Sequence, residues 1–231
     1  MNRLLLMVTI GVLVSGCSGL LHKDEPPVQV YYLRAAASPA LAANEQRQAL
    51  NEARTAAAAP ASSSPTQAPP TLQVPRPQAD PGLATELITL IRSDHRMDRY
   101  SASSWSGALP DVVETLAIDT LRASGHWSAV HDAPSPFTAD YLLQINIRRF
   151  EADYTTGGDA PKVYVTLDCT IARRLGRELL TSFVAEGVAD ASANTMSAVI
   201  AAFEKSANMA LATMAQRSSD AVRTSTAPST P

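Results

Sequence analysis

Val163-Tyr164-Val165-Thr166-Leu167-Asp168-Cys169-Thr170-Ile171 alternates apolar and polar side chains over nine residues. A period of two puts Val163, Val165, Leu167, Cys169 and Ile171 on one face of a strand, and that face is expected to be buried. Cys169 is then a small core hydrophobe rather than a reactive thiol. The alternation recurs upstream in Leu143-Gln144-Ile145-Asn146-Ile147, and Gly157-Gly158 supplies turn chemistry between the two. Downstream, Leu175-Gly176-Arg177-Glu178 turns the chain and Leu179–Val188 makes the third strand of a meander.

Two helices flank this meander in sequence. Pro110 opens the first, at a position where its missing N–H is not needed. Val113, Leu116, Ala117, Thr120 and Leu121 fall on one face at helical spacing, and Gly125 after Ser124 fits the C-terminal cap. The second helix is predicted over Thr195–Gln216, with Asn194 as N-cap. Its stripe is Met196, Val199, Ile200, Phe203, Ala207, Ala210, Leu211 and Met214. Shorter strands are predicted at Thr71–Val74, stopped by Pro75 and Pro77, and at Leu87–Arg92, Arg99–Ala102 and Trp127–His131. The expected fold class is α+β: an antiparallel sheet of about five strands, with Pro110–Ser124 and Thr195–Gln216 packed on one face.

The N-terminus has a different character. Arg3 is a short positive region, and Leu4–Val14 is an apolar run of eleven residues. That length suits a secretory signal and falls short of the ~20 residues a membrane-spanning helix needs. The run closes on Val14-Ser15-Gly16-Cys17, the lipobox pattern of bacterial lipoproteins. Cleavage between Gly16 and Cys17, with diacylglyceryl transfer to the Cys17 thiol, would leave an acylated amino terminus; two or more chains make a stable anchor. Ser18 is not the Asp that favours inner-membrane retention in lipoprotein sorting. The expected location is the inner leaflet of the outer membrane, facing the periplasm.

The boundaries follow from composition. Residues 1–16 are the signal peptide, 17–27 a lipid-anchored tether, and 28–34 a strand carrying Val28-Gln29-Val30-Tyr31-Tyr32-Leu33. Of the 36 residues from Ala35 to Pro70, 23 are Ala, Pro or Ser, too few core formers to offset ordering entropy, so 35–70 is a linker. The folded domain is 71–217, and 218–231 is a disordered tail.

After cleavage the 215-residue chain has a formal charge of −4, 22 acidic residues against 18 basic. That excludes the basic footprint of a nucleic-acid binder and a polybasic membrane patch. Two cysteines, one of them Cys17, leave no intrachain disulfide in the mature protein. The four histidines are scattered, and His126 and His131 fall on opposite faces of a strand, a poor metal pair. No metal or cofactor is expected.

Asp111 and Glu114 share a helix face, but acids are also favoured at a helix N-terminus for electrostatic reasons. Ser104 and Ser106 lack a hydrolase's glycine elbow, and no phosphate-binding glycine loop marks an ATPase. No residue is expected to be catalytic. Tyr100 and Trp105 stand out in an aromatic-poor chain. Exposed, they would be anchors for a partner; buried, they would join helix to sheet.

The chain resembles the ABC-type transport auxiliary lipoprotein component family. The resemblance rests on an ordered series: the lipobox Cys17, Tyr31-Tyr32-Leu33, Gly82-Leu83, Tyr100 with Trp105, and Leu109-Pro110 opening a helix. It continues through Leu121-Arg122-Ala123-Ser124-Gly125, Ala139-Asp140-Tyr141, Phe150-Glu151-Ala152, the Val163–Ile171 strand and Ala198–Phe203. The Ala/Pro-rich stretch departs from the compact family pattern.

The resemblance implies a non-catalytic outer-membrane lipoprotein encoded with a mammalian-cell-entry (MCE) transport system. Its partners would be an MCE substrate-binding protein, a permease and an ATPase that together move phospholipid or other hydrophobic molecules. Some relatives form rings, so a homo-oligomer is among the implications. Two other classes stay open: a lipoprotein that itself binds lipid, and an assembly or structural lipoprotein without a transport role.

Overall fold

A computed structural model of the chain describes residues 27–36, 69–80, 82–133 and 135–226. The meander reading holds for its three strands. β7 (Tyr141–Asp153) pairs antiparallel with β8 (Lys162–Arg173), and β8 with β9 (Glu178–Asp190). All five residues placed on the inner face of β8 are buried, none more than 1 % exposed.

The rest of the sheet differs from expectation. Among the described residues it has nine strands rather than about five, and it is mixed rather than antiparallel. Along the other flank of β7, three short strands lie in series, all parallel to it: β2 (Thr71–Gln73) at its start, β3 (Gln78–Ala79) in the middle and β4 (Leu87–Ile91) at its end. Pro75 and Pro77 break this flank into pieces, because neither can donate to a ladder. Outside β2 lies β6 (Ala129–His131), parallel to it. Outside β4 lies β5 (Met97–Trp105), antiparallel, and then β1 (Gln29–Tyr31), parallel to β5.

β5 runs beyond the predicted Arg99–Ala102. Its register with β4 shifts, and Ala102 sits at φ 50. A left-handed residue of this kind marks a bulge; after it the strand turns Ser103, Ser104 and Trp105 into the interior.

α1 (Leu109–Ala123) starts with Pro110 in its first turn, and Gly125 leaves at φ 68, the left-handed cap that favours glycine. α2 (Met196–Thr226) is 31 residues long, about 46 Å at 1.5 Å per residue. It lies across β9 and β8 and touches α1. Thr195, not Asn194, caps it: the Ala198 N–H donates to Thr195 Oγ1 at 3.4 Å. Asn194 instead accepts the Tyr154 hydroxyl at 2.8 Å.

The predicted tail at 218–231 is corrected as far as Thr226. Those residues continue α2, and Ser218, Ser219 and Val222 are buried. Met214, Ser218 and Val222 extend the stripe at spacing four, but the Ser/Thr composition conceals it. Residues 227–231 lie outside the described residues.

The two faces of the sheet are sharply different. The helix side holds one continuous apolar core. On the other side a bulge at Arg148 sets two arginines side by side. Arg148 pairs with Asp168 at 2.7 Å; Arg149 pairs with Glu151 at 2.6 Å and lies 4.1 Å over the Tyr164 ring. Partly exposed pairs of this kind contribute little to stability; they keep this face polar.

Cys169 is 1 % exposed. Burial, then the neighbouring Asp168 carboxylate, pushes its thiol up to about 12. At pH 8 roughly one chain in 10⁴ would hold the reactive thiolate. A Cys17→Ser chain should therefore leave Ellman's reagent unreacted while folded and release one equivalent on denaturation. Prompt labelling of the native chain would contradict this packing.

Candidate functional site

Gly16 and Cys17 lie outside the described residues, as does linker 37–68. The structure does fix where the chain enters the domain. Gln29, Val30 and Tyr31 pair with Ser103, Ser104 and Trp105, and Leu33 is buried. The chain then runs onto α2: Arg34 N–H donates to Glu204 at 3.2 Å, and Ala36 N–H to Asn208 Oδ1 at 2.8 Å. Residues 28–36 therefore belong to the folded domain. The arm between Cys17 and the domain is thus 18–27, and the stretch 37–68 connects two parts of the domain. The twelve steps from Cys17 to Gln29 span at most about 40 Å.

Tyr100 and Trp105 are not brought together as a surface. Trp105 is 2 % exposed. Its ring meets Phe150 edge-on at 5.8 Å and Phe203 at 5.1 Å, while Phe150 and Phe203 stack at 5.4 Å. This triad joins β5, β7 and α2, so the expectation of a partner contact at Trp105 is corrected to core packing. Tyr100 is half-buried. Its hydroxyl lies 2.9 Å from that of Tyr154, which donates in turn to Asn194, so Tyr100 donates into the chain. Burial, then the Tyr154 hydrogen bond, pushes the Tyr100 hydroxyl well above the ordinary phenol range. Tyr100 therefore ties β5 to the start of α2.

At the start of α1, the Arg76 guanidinium holds the Asp111 carboxyl below its usual range. Partial burial, then the Asp111 charge, pushes Glu114 up. No group of three His, Cys, Asp or Glu among the described residues could hold a metal. No described helix is long and apolar enough to cross a membrane.

A cleft of about 1020 Å³ lies at one end of the sheet, the size of a small-molecule site. β2 and β7 begin there and β8 ends there. Pro69 and Pro70 form one lip, Arg174 and Leu175 another. His126 and Trp127, from the loop after α1, and Ser219, Val222 and Arg223 of α2 complete the walls. The Trp127 ring packs on Tyr141 at 6.3 Å.

Asp140 ties two of these segments together. Its Oδ2 accepts from Thr71 N–H at 2.8 Å and Thr71 Oγ1 at 2.7 Å, and its carbonyl accepts from Arg174 N–H at 2.9 Å. The sequence reading missed this site. Arg173-Arg174 at the end of the clearest strand is the signal that could have pointed to it. The wall from α2 was hidden because residues 218–226 were read as a tail.

Residues 50–215 match the family described as the ABC-type transport auxiliary lipoprotein component. No curated protein matches the chain. A solved protein from Xanthomonas campestris, itself placed in a domain family of unknown function, is similar at 21 % identity and a TM-score of 0.62, over 70 % of this chain and 92 % of that one. A second solved structure, of an uncharacterised protein, gives 14 % identity and a TM-score of 0.55, over 65 % and 92 %. At such identities the likeness is one of fold. The family match takes in every strand from β2 to β9, all of α1 and much of α2. The chain belongs to the ABC-type transport auxiliary lipoprotein component family.

Proposed function

We propose that this protein is a lipid-anchored, non-catalytic auxiliary subunit of an MCE-type ABC transporter. It docks the periplasmic parts of that machine at the outer membrane while phospholipid or another hydrophobic substrate crosses the envelope. Family membership over residues 50–215 carries the reading, and Val14-Ser15-Gly16-Cys17 supplies the anchor.

The entry of the chain through β1 gives the reading its geometry. With β1 held in the sheet, the lipid at Cys17 keeps the domain edge within about 40 Å of the bilayer. The partners are the MCE substrate-binding protein, the permease and the ATPase. β9 pairs only with β8 among the described residues, so its outer edge is open to a neighbouring chain. Light scattering of the purified full chain should give a multiple of the protomer mass, and a strictly monomeric chain would remove that part of the reading.

The anchor is tested separately. Labelled palmitate should enter the wild-type chain, which should fractionate with the outer membrane. Cys17→Ala should abolish the label and take the chain out of that fraction. An unlabelled wild type, or a variant that fractionates unchanged, would defeat the localisation.

A further inference from the structure

The cleft at the end of the sheet joins a cationic rim to an apolar wall. We infer that it binds one anionic amphiphile, an alkyl or acyl chain ending in phosphate or carboxylate, with its headgroup at Arg174.

Three arginines line the cleft, and they differ in what already occupies them. Arg173 pairs with Glu178 at 2.5 Å, and Arg223 pairs with Asp220. Arg174 has no carboxylate partner among the described residues; its guanidinium donates to the neutral Gln73 side-chain oxygen. A guanidinium carries five donors in a planar fork suited to phosphate and carboxylate, and Arg174 keeps most of them free. The carboxylate lining the cleft, Asp140, is engaged by two donors from Thr71. His126 and the Tyr141 phenol are the remaining titratable wall residues. The rim therefore has one uncommitted positive charge beside a capped negative one.

A second observation also points to a ligand. Trp127 lines the cleft and is 8 % exposed, and its Nε1–H has no hydrogen-bond acceptor among the described residues. An unmet buried donor is costly, and an anionic oxygen entering the cleft would meet it. Tyr141 and Val222 give the wall its apolar character. Leu175 stands 87 % exposed at the mouth, apolar surface that the fold itself does not bury. An inorganic anion would leave all of this apolar surface unused, and a neutral lipid would leave Arg174 unmet.

The inference goes beyond the docking reading, because a subunit can dock a transporter without touching lipid. The test uses the full chain and native mass spectrometry with titration. Dodecyl phosphate should bind one per chain, about tenfold or more tighter than dodecyl maltoside, as charge-assisted hydrogen bonds imply. Arg174→Gln should lose about tenfold for dodecyl phosphate and leave dodecyl maltoside unchanged. Leu175→Ser should weaken both about threefold. Both residues are exposed, so the variants should fold, which circular dichroism checks.

Vesicles of phosphatidylglycerol and phosphatidylcholine identify the source. Phosphatidylglycerol taken up by the chain assigns a bilayer lipid, whereas uptake of dodecyl phosphate alone assigns a free anionic amphiphile. Equal affinity for the two detergents, indifference to Arg174→Gln, binding of inorganic phosphate as tightly as dodecyl phosphate, or no binding at all overturns the inference. Arg174→Gln should still capture the transporter partners, so the two readings fail separately.

Discussion

Gly187→Ala should destabilise this protein by about 3 kcal/mol, the upper end of overpacking costs. Gly187 sits in β9 where α2 crosses it. A Cβ there would lie 1.9 Å from the Ser206 carbonyl oxygen, 2.8 Å from its carbon and 3.0 Å from the Ala210 nitrogen. All three are backbone atoms, so no side chain can rotate away. The helix would have to lift off the sheet, and with it Phe203, Ala207, Ala210 and Leu211, which lie in the core. Ser206 is part of the same close approach: its hydroxyl donates to the Val163 carbonyl at 3.1 Å.

For a domain of this size the loss should lower Tm by about 6–12 °C. Gly107→Ala is the control, because nothing lies within 4 Å of its added Cβ, and it should stay within about 0.5 kcal/mol of wild type. Equal melting of the two variants would show that α2 does not seat on β9 as described.

Trp105→Ala should cost about 3–5 kcal/mol, the range for emptying a buried aromatic site. The ring closes a triad with Phe150 and Phe203, so its removal opens a cavity between β5, β7 and α2. The same variant separates the two roles that the sequence left open for this residue. A partner anchor on the surface would lose docking and keep its stability. A core residue loses stability, and Trp105→Phe recovers part of it. Urea unfolding of the three chains measures this. A Trp105→Ala midpoint equal to wild type would return Trp105 to the surface.

The strands whose physics is local were legible in the sequence. β8 alternates cleanly because one face meets α2, whereas β9 carries Val184 and Val188 on its outward face and was read from its turn and its place in the meander. α1 announced itself through Pro110 and Gly125. The parallel flank was not legible, because β2, β3 and β4 gain their partners from β7, 62 to 69 residues further along the chain. β3 spans two residues and has no period to read. β5 was underestimated because its bulge at Ala102 interrupts the alternation.

The glycine inside β9 was itself a signal of close backbone approach, one that a meander reading passes over. The proposed anchor at Cys17 rests on sequence alone, because a lipobox is contiguous and lies outside the described residues. The cleft was not legible, because its walls come from segments as far apart as Pro69 and Arg223. Its largest contribution from α2 lay in residues whose composition reads as tail.

We propose that the protein docks a transporter. Cross-linking in intact cells, followed by affinity capture of the wild-type chain, tests it most directly. Docking predicts recovery of an MCE substrate-binding protein, with permease or ATPase, from cells that express such a system. A chain that is acylated and fractionates with the outer membrane, yet recovers none of these components, would contradict it.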